Sequence, residues 1–315
     1  MALPDAGNSI SLQQVNVELS LTATAAINMG GSDVRGLFDV ASGAIDMSDG
    51  YGKSDFVLEL TASAASSANL KTLFDNSQAG SWADSTNKKF IIAANTTMGI
   101  ITAPASMGGA LEIALAGNIQ GTGGAGGNSS GGAGAGGTAM TIQSTGITIN
   151  MASGSTISGG AGGGGAGGAG GNGYWGSGCG QCTNGTPSGC VACCTSCCEG
   201  GENNIVQCFY NTTGGQGGDG GRGQGYGQSA ANGNSGNGPS GPGNGSQAGA
   251  GGAGGNGASF GAAGAAGATG ANGNTTNGAS GSAGGAAGRA ITFSGGVSAY
   301  TIIGDANGTI NGAYT

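Results

Sequence analysis

Glycine, and above all its spacing, limits what this chain can become. Residues 1–107 hold 9 of the 78 glycines and residues 108–315 hold the other 69. Between 249 and 273 they keep a three-residue beat: Gly249, Gly252, Gly255, Gly261, Gly264, Gly267, Gly270 and Gly273, with Ala258 out of step. An extended left-handed helix of the polyproline II type has three residues per turn and rises ~3.1 Å per residue. That spacing lines one face of a segment with glycine, so two bare backbones can approach until amides meet carbonyls. Collagen requires a strict Gly-X-Y period and abundant proline, whereas here the phase breaks and the chain has 5 prolines. Disorder is the other alternative, because glycine loses the most backbone entropy on ordering. Short apolar β-like segments and a cysteine cluster punctuate the runs and favour order. The reading is a polyglycine II helix bundle over 159–290.

Such a region cannot bury a side-chain core, so its cohesion must come from paired backbone groups. Charged residues make up 7% of the chain and the net charge is -8. Eleven of the fifteen acids precede residue 113, and an acidic surface repels nucleic acid. The chain has no histidine, which removes the commonest general base and metal ligand. No paired carboxylates share one element, so no catalytic machinery is visible and no cofactor is expected. Gly220-Gly-Arg-Gly-Gln-Gly225 lacks the preceding strand and following helix of a phosphate-binding loop. Met-Ala-Leu-Pro-Asp at the start has neither the basic residues nor the apolar run of a signal peptide, and no apolar stretch is long enough for membrane insertion.

Residues 1–55 read as a small α/β segment. Ser11 caps a short helix carrying Leu12, Val15 and Leu19, Leu21–Ile27 forms a strand, a second helix runs through Val34, Leu37 and Phe38, and 42–54 supply a strand and turn. Residues 56–158 read as a β domain with strands at 56–60, 90–94, 99–102 and 110–115, a helical turn at 69–74, and a first glycine hairpin at 121–138. A repeat ending in Ile-polar-Gly aligns Ile119, Ile157 and Ile310, which suggests short β-solenoid-like coils from which the glycine segments are extruded. Residues 291–315 read as a C-terminal β coil. The fold class expected is therefore mainly β.

Eight cysteines, Cys179, Cys182, Cys190, Cys193, Cys194, Cys197, Cys198 and Cys208, fall in an insert at 174–210. The even number suits disulfides, with connectivity open among 105 pairings. Cys179, Cys182, Cys190 and Cys193 also have zinc-like Cys-x-x-Cys spacing. Tyr174, Trp175, Phe209 and Tyr210 flank the insert; they serve either as local packing or, with Tyr226, as exposed receptor-contact loops.

The string Met1-Ala-Leu-Pro-Asp-Ala-Gly-Asn-Ser-Ile-Ser-Leu12, followed by Val15-Asn-Val-Glu-Leu19, Val34-Arg-Gly-Leu-Phe38 and Ser48-Asp-Gly-Tyr-Gly-Lys53, resembles a segment recurrent in tail proteins of tailed bacteriophages. The glycine arrays are similar in kind to those of phage tail-fibre tip adhesins, and also to springtail antifreeze and mycobacterial glycine-repeat proteins. The phage resemblance implies a non-enzymatic virion protein, released by host lysis. Residues 1–55 would dock onto other tail or baseplate proteins, and the remainder would project toward a host receptor. A homo-oligomer is compatible with such a place. The alternatives are a tail or baseplate decoration without receptor contact and an ice-binding protein.

Overall fold

The computed structural model describes residues 3, 7–19, 24–38, 40, 42–51, 57–176, 180–181, 192–194, 205–245, 247–293, 300–304 and 308–314. The N-terminal unit is helical. Helix α1 (Leu12–Glu18) starts at Ser11, whose Oγ accepts from Gln14 N at 3.2 Å while Ser11 N donates to Gln14 Oε1 at 2.8 Å. This reciprocal pairing satisfies amides that a helix start leaves open. Helix α2 (Ser32–Phe38) buries Val34, Leu37 and Phe38, which join Leu3 and Val15 in a small separate core. A 3-10 turn at Met47–Gly50 is capped by Asp46. The strands expected here are corrected. Residues 24–28 and 42–51 carry no strand, and Ala25 O accepts from the Asn16 side chain at 2.8 Å. A side chain, not a β ladder, holds the segment. Leu21 to Ala23 lie outside the described residues.

From residue 57 the chain wraps around one core in successive coils. The first contributes β1 (Val57–Thr61) and β2 (Ser67–Asn69); the second β3 (Asn87–Ile92), β4 (Thr97–Met98) and β5 (Ile100–Ala103). The third contributes β6 (Leu111–Leu115), β7 (Asn118–Gln120) and β8 (Met140–Ile142). The fourth contributes β9 (Ile147–Met151) and β10 (Thr156–Ser158); after a long excursion containing β11 (Gly173–Gly176), β12 (Gly180–Gln181), β13 (Ala192–Cys194) and β14 (Ile205–Thr212), it closes with β15 (Ile291–Phe293). The last adds β16 (Tyr300–Ile303) and β17 (Thr309–Asn311). Like strands of successive coils pair in parallel, giving three sheets: β1-β3-β6-β9-β16, β2-β5-β8-β15 and β4-β7-β10-β17.

Each sheet turns one face inward because strand side chains alternate. Phe90, Ile113, Ile149 and Ile302 stand in register down the first sheet. Ile101, Met140 and Ile291 do so down the second, and Met98, Ile119, Ile157 and Ile310 down the third. The Ile-polar-Gly repeat thus marks neighbouring rungs. Each buried Ile, Leu or Phe contributes roughly 1.5–3 kcal/mol. Helix α3 (Leu70–Ser77), with Asn69 Oδ1 accepting from Thr72 N at 3.2 Å, buries Leu70 and Phe74. Phe74 meets the fully buried Trp82 at 6.1 Å between ring centroids. Lys88 shares the inward face with Phe90 and Ile92, and its ammonium donates to the carbonyls of Asp84, Thr86 and Gly108 at 3.2, 2.7 and 2.8 Å. Burial pushes its pKa down, against the pull of the Asp84 carboxylate.

The glycine segments leave this stack at equivalent places, between β7 and β8 and between β10 and β15. They run out and back as passes 121–128, 131–138, 159–173, 213–225, 228–240, 247–258, 261–274 and 277–290. Pass 159–173 is central. Its amides go to three neighbours in rotation: Gly160 and Gly163 donate to Gly137 and Gly134, Ala161 and Gly164 to Gln224 and Gly221, Gly162 and Gly165 to Ala262 and Ala265, at 2.7–3.0 Å. Its carbonyls accept from passes 121–128, 247–258 and 277–290, as in Gly124 N to Ala161 O, Gly255 N to Gly165 O and Gly285 N to Gly163 O, at 2.7–2.8 Å. Along Gly162–Gly165 six passes therefore surround four consecutive glycines. A Cβ at Gly164 would overlap the carbonyl of Gly255, and one at Gly163 the carbonyl of Ala125.

Outer passes touch fewer neighbours and need less glycine. In 247–258, Gly249, Gly252 and Gly255 face pass 261–274 while Gly251, Gly254 and Gly257 face pass 213–225. In 261–274, Gly264, Gly267, Gly270 and Gly273 face the central pass alone, and the residues between point outward.

The expected polyglycine II helix bundle is corrected. No helix bundle is present: among the described residues, helix is confined to α1, α2, α3 and the 3-10 turns at Met47–Gly50 and Pro242–Gly245. The chain is mainly β, with parallel sheets, and the glycine passes are extended segments without an internal hydrogen-bond ladder. The reason is competition for donors, since the amides of Gly160–Gly165 are all taken by neighbouring passes and glycine gains little from helix. Most of the cysteine-rich insert lies outside the described residues.

Packing this close predicts a sharp positional contrast. Gly164→Ala should cost about 1–3 kcal/mol or more, whereas Ala266→Ser, on an exposed face, should stay within about 0.5 kcal/mol; thermal unfolding of both variants checks this. Acid acts elsewhere. Asp75 receives hydrogen bonds from Lys71 and from Trp82 N, and these, Lys71 first, hold its carboxyl below the ordinary 3.8. A lowered carboxylate stabilises above its unfolded pKa and loses that contribution as pH falls through the folded value. The stability gap between wild type and Asp75→Asn should therefore narrow on acidification below pH 3.8, as read by denaturant unfolding across pH.

Candidate functional site

Pass direction decides what sits at the outer end. Pass 159–173 runs outward, 213–225 returns, 228–240 runs out, 247–258 returns, 261–274 runs out and 277–290 returns. Gly173–Gly176, Ile205–Thr212, 241–245 and 274–277 therefore meet at the end remote from the stack. The turns at Gly225–Gln228 and Ser259–Gly261 lie at the near end. Tyr226 belongs to the near end, and its amide donates to Gly121 O at 3.0 Å. The structure does not bring it to the other aromatics.

At the outer end β11 pairs antiparallel with β14, setting Tyr174 opposite Asn211, Trp175 opposite Tyr210 and Gly176 opposite Phe209. Trp175 and Tyr210 pack with centroids 6.0 Å apart and planes inclined by 35°. The indole also covers the turn Pro242–Gly245, where Gly243 and Gly245 have φ of 65° and 70° and a Cβ at Gly243 would strike the Trp175 ring. Local packing thus accounts for Trp175 and Tyr210. Tyr174 is 45% exposed. Strand β13 places the backbone of Cys193 opposite Cys208 and of Cys194 opposite Gln207. Cys179, Cys182, Cys190, Cys197 and Cys198 lie outside the described residues, and with them the disulfide and zinc alternatives.

Amides and hydroxyls stitch this end together. Asn172 donates its backbone N–H to Thr276 Oγ1 at 2.7 Å, accepts from Thr275 Oγ1 at its carbonyl at 2.7 Å, and accepts from Gly214 N at its side chain at 3.0 Å. Asn274 exchanges two bonds with the Tyr174 backbone, at 2.8 and 3.0 Å. Between these elements lies a cleft of 390 Å³ lined by Asn172, Tyr174, Asn211, Thr213, Thr275 and Thr276, together with Gly173 and Thr212. None of its lining residues is charged. Thr212 is 1% exposed and its hydroxyl has no hydrogen-bond partner among the described residues. The sequence reading named the aromatics and missed Asn172, Thr275 and Thr276, which are remote in sequence and meet only because passes return. A second recess, of 180 Å³, opens beside the first coil and is mainly apolar, with Leu60, Leu73, Phe90 and Met98 on its walls. Among the described residues no helix is long and apolar enough to cross a membrane.

No family model and no curated protein matches this sequence. A similar solved structure is a chain from the gp37–gp38 adhesin tip complex of the bacteriophage S16 long tail fibre, with 17% identity over 89% of this chain and 91% of that chain and a TM-score of 0.46.

Trp175 is the post on which the outer turn rests. Trp175→Ala should release that turn, raising amide exchange at Gly245 and Ala248, now bonded to Gly241 O and Gly245 O, by roughly tenfold, ~1.4 kcal/mol of local opening. Exchange at Gly164 and Gly165 should not change.

Proposed function

We propose that this chain is a non-enzymatic structural protein of a bacteriophage tail, a stiff projection whose outer end contacts the host surface. The observation that carries the reading is the asymmetry of the glycine passes. The passes start from a parallel β stack, and at the end remote from it the chain gathers Tyr174, Trp175 and Tyr210 with Asn172, Thr275 and Thr276. A central segment bonded on every side leaves the outer loops little freedom to drift relative to the stack, and contact residues favour loops held on such a scaffold. Residues 1–55, which carry the resemblance to phage tail segments, dock the chain to other virion proteins. Their core is separate from that of the stack, and α1 leaves Leu12 50% exposed.

Particles carrying a deletion of residues 174–210 should incorporate the protein normally and adsorb to their host at least ~10-fold more slowly, the kinetic equivalent of losing ~1.4 kcal/mol of contact. Unchanged adsorption would turn the reading toward a decoration that touches only virion proteins. Removing residues 1–55 should abolish incorporation, as measured by mass spectrometry of purified particles.

A further inference from the structure

The outer cleft has a chemistry of its own. Asn172, Asn211, Thr213, Thr275 and Thr276 supply amides and hydroxyls, Tyr174 supplies an exposed ring with a phenol, and the lining carries no charge. A volume of 390 Å³ falls inside the roughly 300–1,000 Å³ range of small-ligand sites. Asn211, Thr213, Thr275 and Thr276 are exposed at its rim. Beneath them Thr212 keeps a buried hydroxyl without a partner among the described residues, a group that ordinarily finds a hydrogen bond in native structures. The walls are also fixed in place. Asn172 and Asn274 hold the loop backbones through the bonds described above, so the rim groups are arranged before anything binds and little ordering entropy is lost on binding.

We propose that this cleft binds a neutral saccharide unit of a surface glycan. A pyranose offers an apolar C–H face for Tyr174 and a ring of hydroxyls that both donate and accept, matching amides and threonines that do the same. An anionic group would find no cation in the lining, and a long apolar chain would leave the amides unpaired, which is costly when they are covered. The assignment rests on the outer end being a contact surface and adds the class of ligand.

The test uses the full chain and ligand-observed saturation-transfer NMR. The probes are methyl α-glucopyranoside, methyl β-galactopyranoside, N-acetylglucosamine and the neutral polysaccharide dextran, with glucose 6-phosphate and the peptide acetyl-Ser-Gly-Ser-amide as contrasts. At least one neutral sugar should show transfer at millimolar concentration, and dextran should compete if the unit is recognised within a polymer. Tyr174→Ala and Asn211→Ala should each weaken binding about fivefold or more, the loss expected for one ring contact or one hydrogen bond. Tyr226→Ala, at the opposite end, should leave it unchanged. Matching thermal unfolding profiles show that the variants fold. Silence from every neutral sugar, transfer indifferent to Tyr174→Ala and Asn211→Ala, or binding of the phosphate or peptide alone overturns the proposal. If adsorption is lost on deleting 174–210 while no sugar binds, the ligand class fails and host contact stands. If sugar binds while adsorption is unchanged, host contact fails and the cleft stands.

Discussion

Every feature of the projecting region depends on one constraint: along Gly160–Gly165 the backbone of the central pass is paired on all sides by other backbone. A buried amide without a partner costs about 1–3 kcal/mol, so a segment enclosed by six others folds only if its donors and acceptors reach them in rotation. Amides three residues apart reach the same neighbour, and along Gly162–Gly165 no side chain fits. Where the short hairpin 121–138 ends, cover ends with it. Ala169, beyond the reach of that hairpin, is exposed, whereas Ala161 and Ala166 are buried. Glycine density in each pass thus follows the number of neighbours it touches, and the density falls from the centre outward.

The β stack supplies what the glycine cannot. Its ladders of Ile, Leu, Met and Phe bury a conventional core, and the parallel register sets the level at which each glycine segment departs. Because β7 and β10 are adjacent rungs with Ile119 beside Ile157, Gly121 and Gly159 start out side by side, and Gly121 N already bonds Ser158 O at 2.8 Å. The sheet therefore sets where the first two glycine segments meet, and the remaining passes pair around them. Segments at the outer end take their positions from this pairing, which couples the glycine spacing in the sequence to the placement of the candidate contact surface.

Much of the stack was legible because its signals are local. Ser11 marked a helix start ahead of the stack, short apolar runs marked β3 and β6, and the repeat around Ile119, Ile157 and Ile310 gave the register. Period-two alternation also places Lys88 on the core face with Phe90 and Ile92, although a lysine there discourages that reading until the three carbonyls around it are seen. The segment ending at Ile27 looked like a strand from its alternation, yet its described residues have no strand partner. Tyr226 was grouped with Tyr174 because both sit in loops; only counting passes, out and back, shows that they occupy opposite ends. The cleft was illegible for the same reason, since four glycine passes separate Asn172 from Thr276 along the chain.

Amide hydrogen exchange along pass 159–173 tests the central claim most directly. If this backbone is paired on every side, Gly162, Gly163, Gly164 and Gly165 should be among the slowest amides in the protein and should open only with global unfolding, while the exposed positions of 261–274 exchange sooner. Exchange of those four glycines at the rate of an unfolded chain, with the β stack still protected, would contradict it.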